Sequence, residues 1–229
     1  MVSYIRQCGD LLHLASFFVL LTKMLRQRSA AGISLKSMFL FALVYSTRYI
    51  DLFLSFISVY NTVMKIIFLC VSWYVVFLIK YKNPWKATYD RDNDTFRIQY
   101  LIGACFILGL CFHRKPRLGF FVEVLWAFSQ YLEAVAILPQ IFLLQYTERY
   151  EALTSHYLFT LGLYRAFYLI HWFVRYLNYG KFNAVSVVAG VVQTILYVDF
   201  FHKYITQVIR KTKQKYDLGS NSAPKKQIG

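Results

Sequence analysis

Residues 38–60 read MFLFALVYSTRYIDLFLSFISVY. The run has the length of a bilayer-crossing helix, about 20 residues, but carries a polar knot, Ser46-Thr47-Arg48-Tyr49-Ile50-Asp51. Read as one helix, it places Arg48 near its middle, where even the lowest scales charge about 2.5–3.5 kcal/mol for an arginine. Such a residue persists where it faces a bundle interior or a wet cavity with anionic partners. The fold therefore turns on what Arg48 faces.

The rest of the composition fits a membrane bundle. Of 229 residues, 58% are apolar and 19% aromatic, more than one soluble core of this size uses. The net charge of +15 would also suit nucleic acid. However, the basic residues lie between apolar runs and in the last twenty positions, the pattern of cytosolic loops. Cys8, Cys70, Cys105 and Cys111 show no metal spacing and read as small apolar residues. No cleavable leader is expected, because no basic segment precedes the first apolar run.

Seven spans are expected, at residues 4–24, 38–60, 63–79, 100–112, 119–144, 156–176 and 183–205. Residues 1–206 form the membrane domain and 207–229 a basic cytosolic tail without apolar periodicity, expected to be disordered. Lys and Arg set the orientation. With the N-terminus outside, fifteen fall on the cytosolic side and six on the other, including a local exception at Arg114, Lys115 and Arg117. The sequon Asn93-Asp94-Thr95 is then cytosolic and unused. Arg48 and Arg165 each sit mid-span beside a tyrosine, a faint sign of two three-helix repeats joined by the fourth span. Such repeats place ligand sites at their interface.

At about 100° per residue, four spans each gather their polar residues on one face. These are Arg6, Asp10, His13 and Ser16; Arg48, Asp51, Ser55 and Ser58; Glu123, Trp126, Gln130, Glu133 and Gln140; and Tyr164, Arg165, Tyr168, His171, Trp172 and Arg175. In hydrocarbon these stripes face one another. A sealed network is one outcome, Arg48 with Asp51 and Arg165 with Glu133. Yet Arg6, Arg48, Arg165 and Arg175 outnumber Asp51, Glu123 and Glu133, which points to an anionic ligand, and arginine's planar fork suits a carboxylate. His13, on the charged face, is a candidate proton-sensitive group. Pro139-Gln140 reads as a kink whose amide caps freed backbone groups. Lys65 reads as a snorkelling or paired residue. No nucleophile beside a base, metal spacing or phosphate loop is present, so neither an enzyme nor a cofactor is expected.

Several stretches resemble one known family across residues 1–206. They include Thr47-Arg48-Tyr49-Ile50-Asp51-Leu52-Phe53, Tyr131-Leu132-Glu133-Ala134-Val135-Ala136-Ile137-Leu138-Pro139-Gln140, Gly162-Leu163-Tyr164-Arg165-Ala166 and Val188-Ala189-Gly190-Val191-Val192-Gln193-Thr194-Ile195-Leu196-Tyr197. The family is that of the KDEL receptors, which retain soluble proteins in the endoplasmic reticulum. The resemblance implies an all-α integral membrane fold of seven transmembrane helices, two triplets plus a linker helix, similar to PQ-loop and SWEET transporters. It also implies capture of C-terminal Lys/His-Asp-Glu-Leu signals in the acidic Golgi and their return to the endoplasmic reticulum in COPI vesicles.

By the same resemblance, Arg48 and Tyr49 hold the terminal carboxylate, Arg6 the ligand's Glu and Arg175 its Asp. Asp51, Glu123 and Trp126 surround its first residue. Trp172 lines the peptide, supported by Tyr168 and Arg165, and His13 senses pH through Tyr164 and Glu133. Lys211, Lys213, Lys215, Lys225 and Lys226 are candidates for the coat-binding signal. The chain departs from the family pattern at His171, where asparagine is frequent, at Asn183, an acidic position, and at Gln207, a lysine position. A small-solute transporter of the same architecture and a membrane protein with a sealed polar network are the competing classes.

Overall fold

The computed structural model describes residues 2–114, 119–147, 152–180 and 183–221. Among them all regular structure is helical. The helices are α1 (Val2–Gln27), α2 (Leu35–Arg48), α3 (Val59–Tyr81), a short α4 (Trp85–Thr88), α5 (Ile98–Cys111), α6 (Phe120–Val135), α7 (Leu138–Thr147), α8 (Ala152–Tyr179) and α9 (Ala184–Asn221), with a 3-10 turn at Tyr49–Phe53. Four segments combine the length and apolarity needed to cross a bilayer: Tyr4–Gln27, Val59–Tyr81, Phe120–Thr147 and Ala184–His202. The other expected spans are shorter, like α2 and α5 with 14 residues each, or more polar, like α8 with its arginines and histidines.

The polar knot does not lie within a continuous helix. Helix α2 begins where Ser34 accepts a hydrogen bond from the Ser37 N–H and stops at Arg48. Ser46 and Thr47 bond back to the Ala42 and Leu43 carbonyls at 2.8 and 2.9 Å, contacts that bend a helix. The chain then tightens into the 3-10 turn, and Ser58 caps α3 by accepting from the Asn61 N–H. So Ser55 and Ser58 do not share a helical face with Arg48. The fifth expected span is broken as well. Helices α6 and α7 are separated at residues 136–137, next to Pro139, which has no N–H to continue the ladder. The tail differs from expectation in the opposite sense: α9 continues as helix across the boundary expected at 206/207 to Asn221.

Helix α1 packs along α8; α2 lies against α3 and α6; α5 and α9 also rest on α6. Between them lies an aromatic core of Phe17, Phe41, Tyr45, Phe68, Tyr157, Tyr164 and Tyr197. The outward faces of α3, α5 and α9 are apolar and exposed, as at Ile66, Phe77, Ile107, Val191 and Ile195, while His13, Lys65, Glu123, Glu133 and Arg165 are buried. Polar inside and apolar outside is the arrangement a bilayer demands.

One polar knot sits at the start of α2, away from Arg48. The Ser34 hydroxyl donates to Asp94 at 2.9 Å, and Tyr89 donates to the same carboxylate at 2.7 Å. Gln140 does more than cap its own kink. Its Oε1 accepts from Ser34 N–H and its Nε2 donates to the Gly32 carbonyl, both at 2.8 Å. Its N–H donates to Ser37 Oγ at 3.0 Å, and that hydroxyl donates to the Ala136 carbonyl at 2.7 Å. The backbone groups freed between α6 and α7 are thus satisfied from α2.

Candidate functional site

Arg48 ends α2, a position that favours a cation because the last carbonyls carry partial negative charge. Its guanidinium crosses to α6. Nε donates to Ser129 Oγ at 3.2 Å, Nη2 to the Ser129 carbonyl at 3.0 Å, and Nη1 lies 2.5 Å from Glu133 Oε2. Arg165 arrives at the same carboxylate from α8, its Nη1 3.9 Å from Oε1. Tyr164 donates its hydroxyl to Oε1 at 2.8 Å. Glu133 is 1% exposed and Arg165 2%. Buried Arg165 and half-buried Arg48 thus share one carboxylate, and Nε and Nη2 of Arg165 have no hydrogen-bond partner among the described residues. Buried donors left unpaired cost about 1–3 kcal/mol, more when charged.

His13 of α1 stands one layer deeper. Its ring lies parallel to that of Tyr164, centroids 3.8 Å apart, and Nε2 shares a hydrogen bond of 2.8 Å with the Tyr45 hydroxyl. Phe17 and Phe68 close the remaining sides. Gln193 of α9 donates to the hydroxyls of both Tyr164 and Tyr197 at 3.2 Å. His13, Tyr164, Glu133, Arg48 and Arg165 are therefore one connected cluster, assembled from α1, α2, α6 and α8.

The other expected residues surround this cluster in pairs. Asp51 is bound to Lys65 of α3 at 2.8 Å, not to Arg48. The Lys65 ammonium lies 5.8 Å from the Tyr49 ring. Arg6 lies 3.8 Å from Asp10, which also accepts from the Tyr168 hydroxyl. Trp172 stacks near-parallel on Tyr168, and Arg165 faces it at 5.5 Å. Glu123 and Trp126 are joined by Arg114, whose guanidinium lies 3.5 Å from the Trp126 ring centroid. Arg175 is exposed near the end of α8, and His171 is buried. Lys211, Lys213 and Lys215 lie on α9; Lys225 and Lys226 lie outside the described residues.

The charge count made from four arginines and three acids was incomplete. Asp10, Lys65 and Arg114 also belong to the site, and each takes a partner that a count by span left unmatched. Lys65, one of whose two readings was a paired residue, has Asp51 as that partner, as a lysine inside an apolar run calls for a nearby acid. Arg114 could not be found this way, because it falls in a loop and counts there only toward orientation.

The profile of the ER lumen protein retaining receptor family matches residues 29–175. ER lumen protein-retaining receptor 2 of Homo sapiens is 53% identical over 212 residues, covering 91% of this chain and 96% of the relative. The ER lumen protein-retaining receptor of Drosophila melanogaster is 50% identical over 208 residues, with the same coverage. The receptor erd-2.1 of Caenorhabditis elegans is 50% identical over 209 residues, again covering 91% and 96%.

Proposed function

This chain belongs to the ER lumen protein-retaining receptor family, and from that membership we propose that it captures soluble proteins by a C-terminal Lys/His-Asp-Glu-Leu signal. Such a C-terminal address is read by a receptor. Capture takes place in the acidic Golgi and release in the endoplasmic reticulum after COPI-dependent return. The membrane domain is a seven-span bundle of two triplets around α5, with the N-terminus lumenal and the C-terminus cytosolic, its lysines serving as the coat-binding signal. The large share of each relative that the chain covers supports this architecture, as does the order of the helices.

The observation that carries the reading is the shared Glu133. Two arginines converge on one buried carboxylate while two donors of Arg165 are unpaired among the described residues, so the cluster has room in its charge balance for a second carboxylate. The terminal carboxylate of the peptide takes that place at Arg48, beside Tyr49. Arg6 and Arg175 then receive the ligand's Glu and Asp, Trp172 packs on the peptide with Tyr168 and Arg165 behind it, and Asp51, Glu123 and Trp126 surround its first residue.

Proton linkage runs through His13. The charged and titratable groups around it are Tyr45 and Arg48 of α2, Glu133 of α6, and Tyr164 and Arg165 of α8. A proton on His13 adds a cation to a cluster that the ligand enters as an anion, so proton uptake and binding support each other. The test is binding of free-acid and amidated Lys-Asp-Glu-Leu peptides at about pH 5.5 and about pH 7.4. The expected result is binding of the free acid alone, tighter at the lower pH. Equal binding of both peptides defeats the carboxylate assignment. Uptake of a small solute into proteoliposomes, indifferent to the peptide, would favour a transporter instead.

A further inference from the structure

The place assigned above to the peptide's first residue already holds a cation of the chain's own. Glu123 lies in the first turn of α6 and is 3% exposed. Arg114, just beyond α5, brings Nε and Nη2 to Glu123 Oε2 at 3.0 and 2.8 Å. Its guanidinium simultaneously covers the Trp126 ring at 3.5 Å from the centroid. A carboxylate in the plane and an aromatic face beneath is a complete receptor for a cation. Arg114 fills it from the side of solvent: its side chain is 37% exposed, that of Glu123 only 4%.

The second acid of this subsite is neutralised as well. Asp51 Oδ2 is 2.8 Å from Lys65 Nζ. What remains is Oδ1 of Asp51, buried and without a hydrogen-bond partner among the described residues. With Lys65 already supplying the counter-charge, that oxygen can be satisfied by a hydrogen bond from a neutral side chain.

We propose that Arg114 sets the specificity at the first position of the retrieval signal. By neutralising Glu123 and covering Trp126, it removes the demand for Lys or His there and admits a neutral, hydrogen-bonding residue such as Gln. The inference rests on the proposed peptide reading, which assigns Glu123, Trp126 and Asp51 to that residue. An incoming lysine would have to displace the guanidinium from an aromatic face and a carboxylate at once, and gains little by replacing one cation with another. Neutral side chains meet no such competitor.

The experiment compares Lys-Asp-Glu-Leu with Gln-Asp-Glu-Leu, both as free acids, on the full chain and on Arg114→Gln at acidic pH. The full chain is expected to bind the two within about threefold, and Arg114→Gln to favour lysine by about tenfold or more, because a charge-assisted bond to Glu123 becomes available. A strong lysine preference in the unaltered chain overturns the proposal without any variant. An unchanged ratio in Arg114→Gln that still binds both peptides also overturns it. Failure of the peptide reading looks different: neither free acid would then bind better than its amide.

Discussion

Arg48 and Arg165 reach opposite oxygens of Glu133, at 2.5 and 3.9 Å, from two helices far apart in sequence. Neither arginine has a second carboxylate among the ion pairs of the described residues. Glu133→Gln keeps the shape and removes the counter-charge from both, which for a buried pair costs about 3–5 kcal/mol. The variant should unfold at clearly lower temperature in detergent, in the absence of peptide. An unchanged midpoint would mean that the two guanidiniums find other compensation.

Truncating Arg48 tests the ligand side of the same relationship. Arg48→Ala removes the donor proposed for the terminal carboxylate and also leaves Glu133 short of a partner. Losing one member of a buried charged pair across an interface costs about 2–5 kcal/mol, or a factor of roughly 30 to several thousand in affinity. Peptide binding measured by calorimetry should fall by at least the lower figure, and Arg48→Lys should not restore it, since a point charge lacks the fork. Retained affinity in Arg48→Ala would remove this residue from the site.

Much of this cluster was legible in the sequence because charges in apolar runs are costly and must find one another. Arg48, Glu133, Tyr164, Arg165 and His13 were all placed on one interior by helical periodicity. Of the two pairings in the sealed-network reading, Arg165 with Glu133 is present and Arg48 with Asp51 is not. Asp51 lies three residues beyond Arg48, but α2 ends at Arg48 and the tightened turn points Asp51 toward Lys65. Periodicity assumes a continuous helix, and Ser46, Thr47 and Pro139 break that assumption locally. The helical continuation of α9 past residue 206 was missed for a related reason. A basic stretch with no apolar face gives no periodic signal, although Lys, Gln and Arg are good helix formers.

One linked proton changes affinity by up to about tenfold per pH unit. Binding that takes up a proton at His13 weakens as pH rises. His13→Asn cannot take up that proton. It should flatten the pH profile of peptide binding between about pH 5.5 and about pH 7.4, whatever it does to affinity at one pH. A profile as steep as that of the unaltered chain would move the linkage elsewhere.

The sequon offers a topological test. Asn93 donates its side-chain amide to both oxygens of Asp90, at 2.9 and 2.8 Å, in the loop that the charge distribution assigns to the cytosol. Expression in cells with active glycosylation should give no mass loss on glycosidase treatment. A glycan at Asn93 would reverse the orientation, and with it the side from which peptide enters.

Asp94 is 3% exposed and accepts from Ser34, Tyr89 and the Lys36 backbone. Burial, reinforced by the hydrogen bond and charge of Asp94, pushes the Tyr89 phenol up, so it remains a donor throughout the physiological range. Asp94→Ala strands these donors at about 1–3 kcal/mol for each that stays buried, whereas Asp94→Asn keeps one acceptor oxygen. Thermal unfolding should rank the chain above Asp94→Asn and Asp94→Ala lowest, with peptide selectivity unaffected because this knot lies at the opposite end of α2 from Arg48. Loss of peptide binding by a well-folded Asp94→Asn would couple the two ends.

Gly190 of α9 provides the space in which Trp172 lies. A Cβ at this position would stand 2.5 Å from Cζ3 and 3.1 Å from Cη2 of the indole, so Gly190→Ala must push the ring off its place. The helix itself gains from the change, by up to about 1 kcal/mol, which separates a local effect on the ring from a global loss of stability. Trp172 is stacked on Tyr168 and faced by Arg165, so its displacement disturbs both supports of the proposed peptide channel. Gly190→Ala should therefore keep or raise the unfolding temperature while weakening peptide binding by about tenfold, 1.4 kcal/mol. Equal affinity with a shifted near-ultraviolet circular dichroism spectrum would show that the ring moved and that the peptide does not need it there.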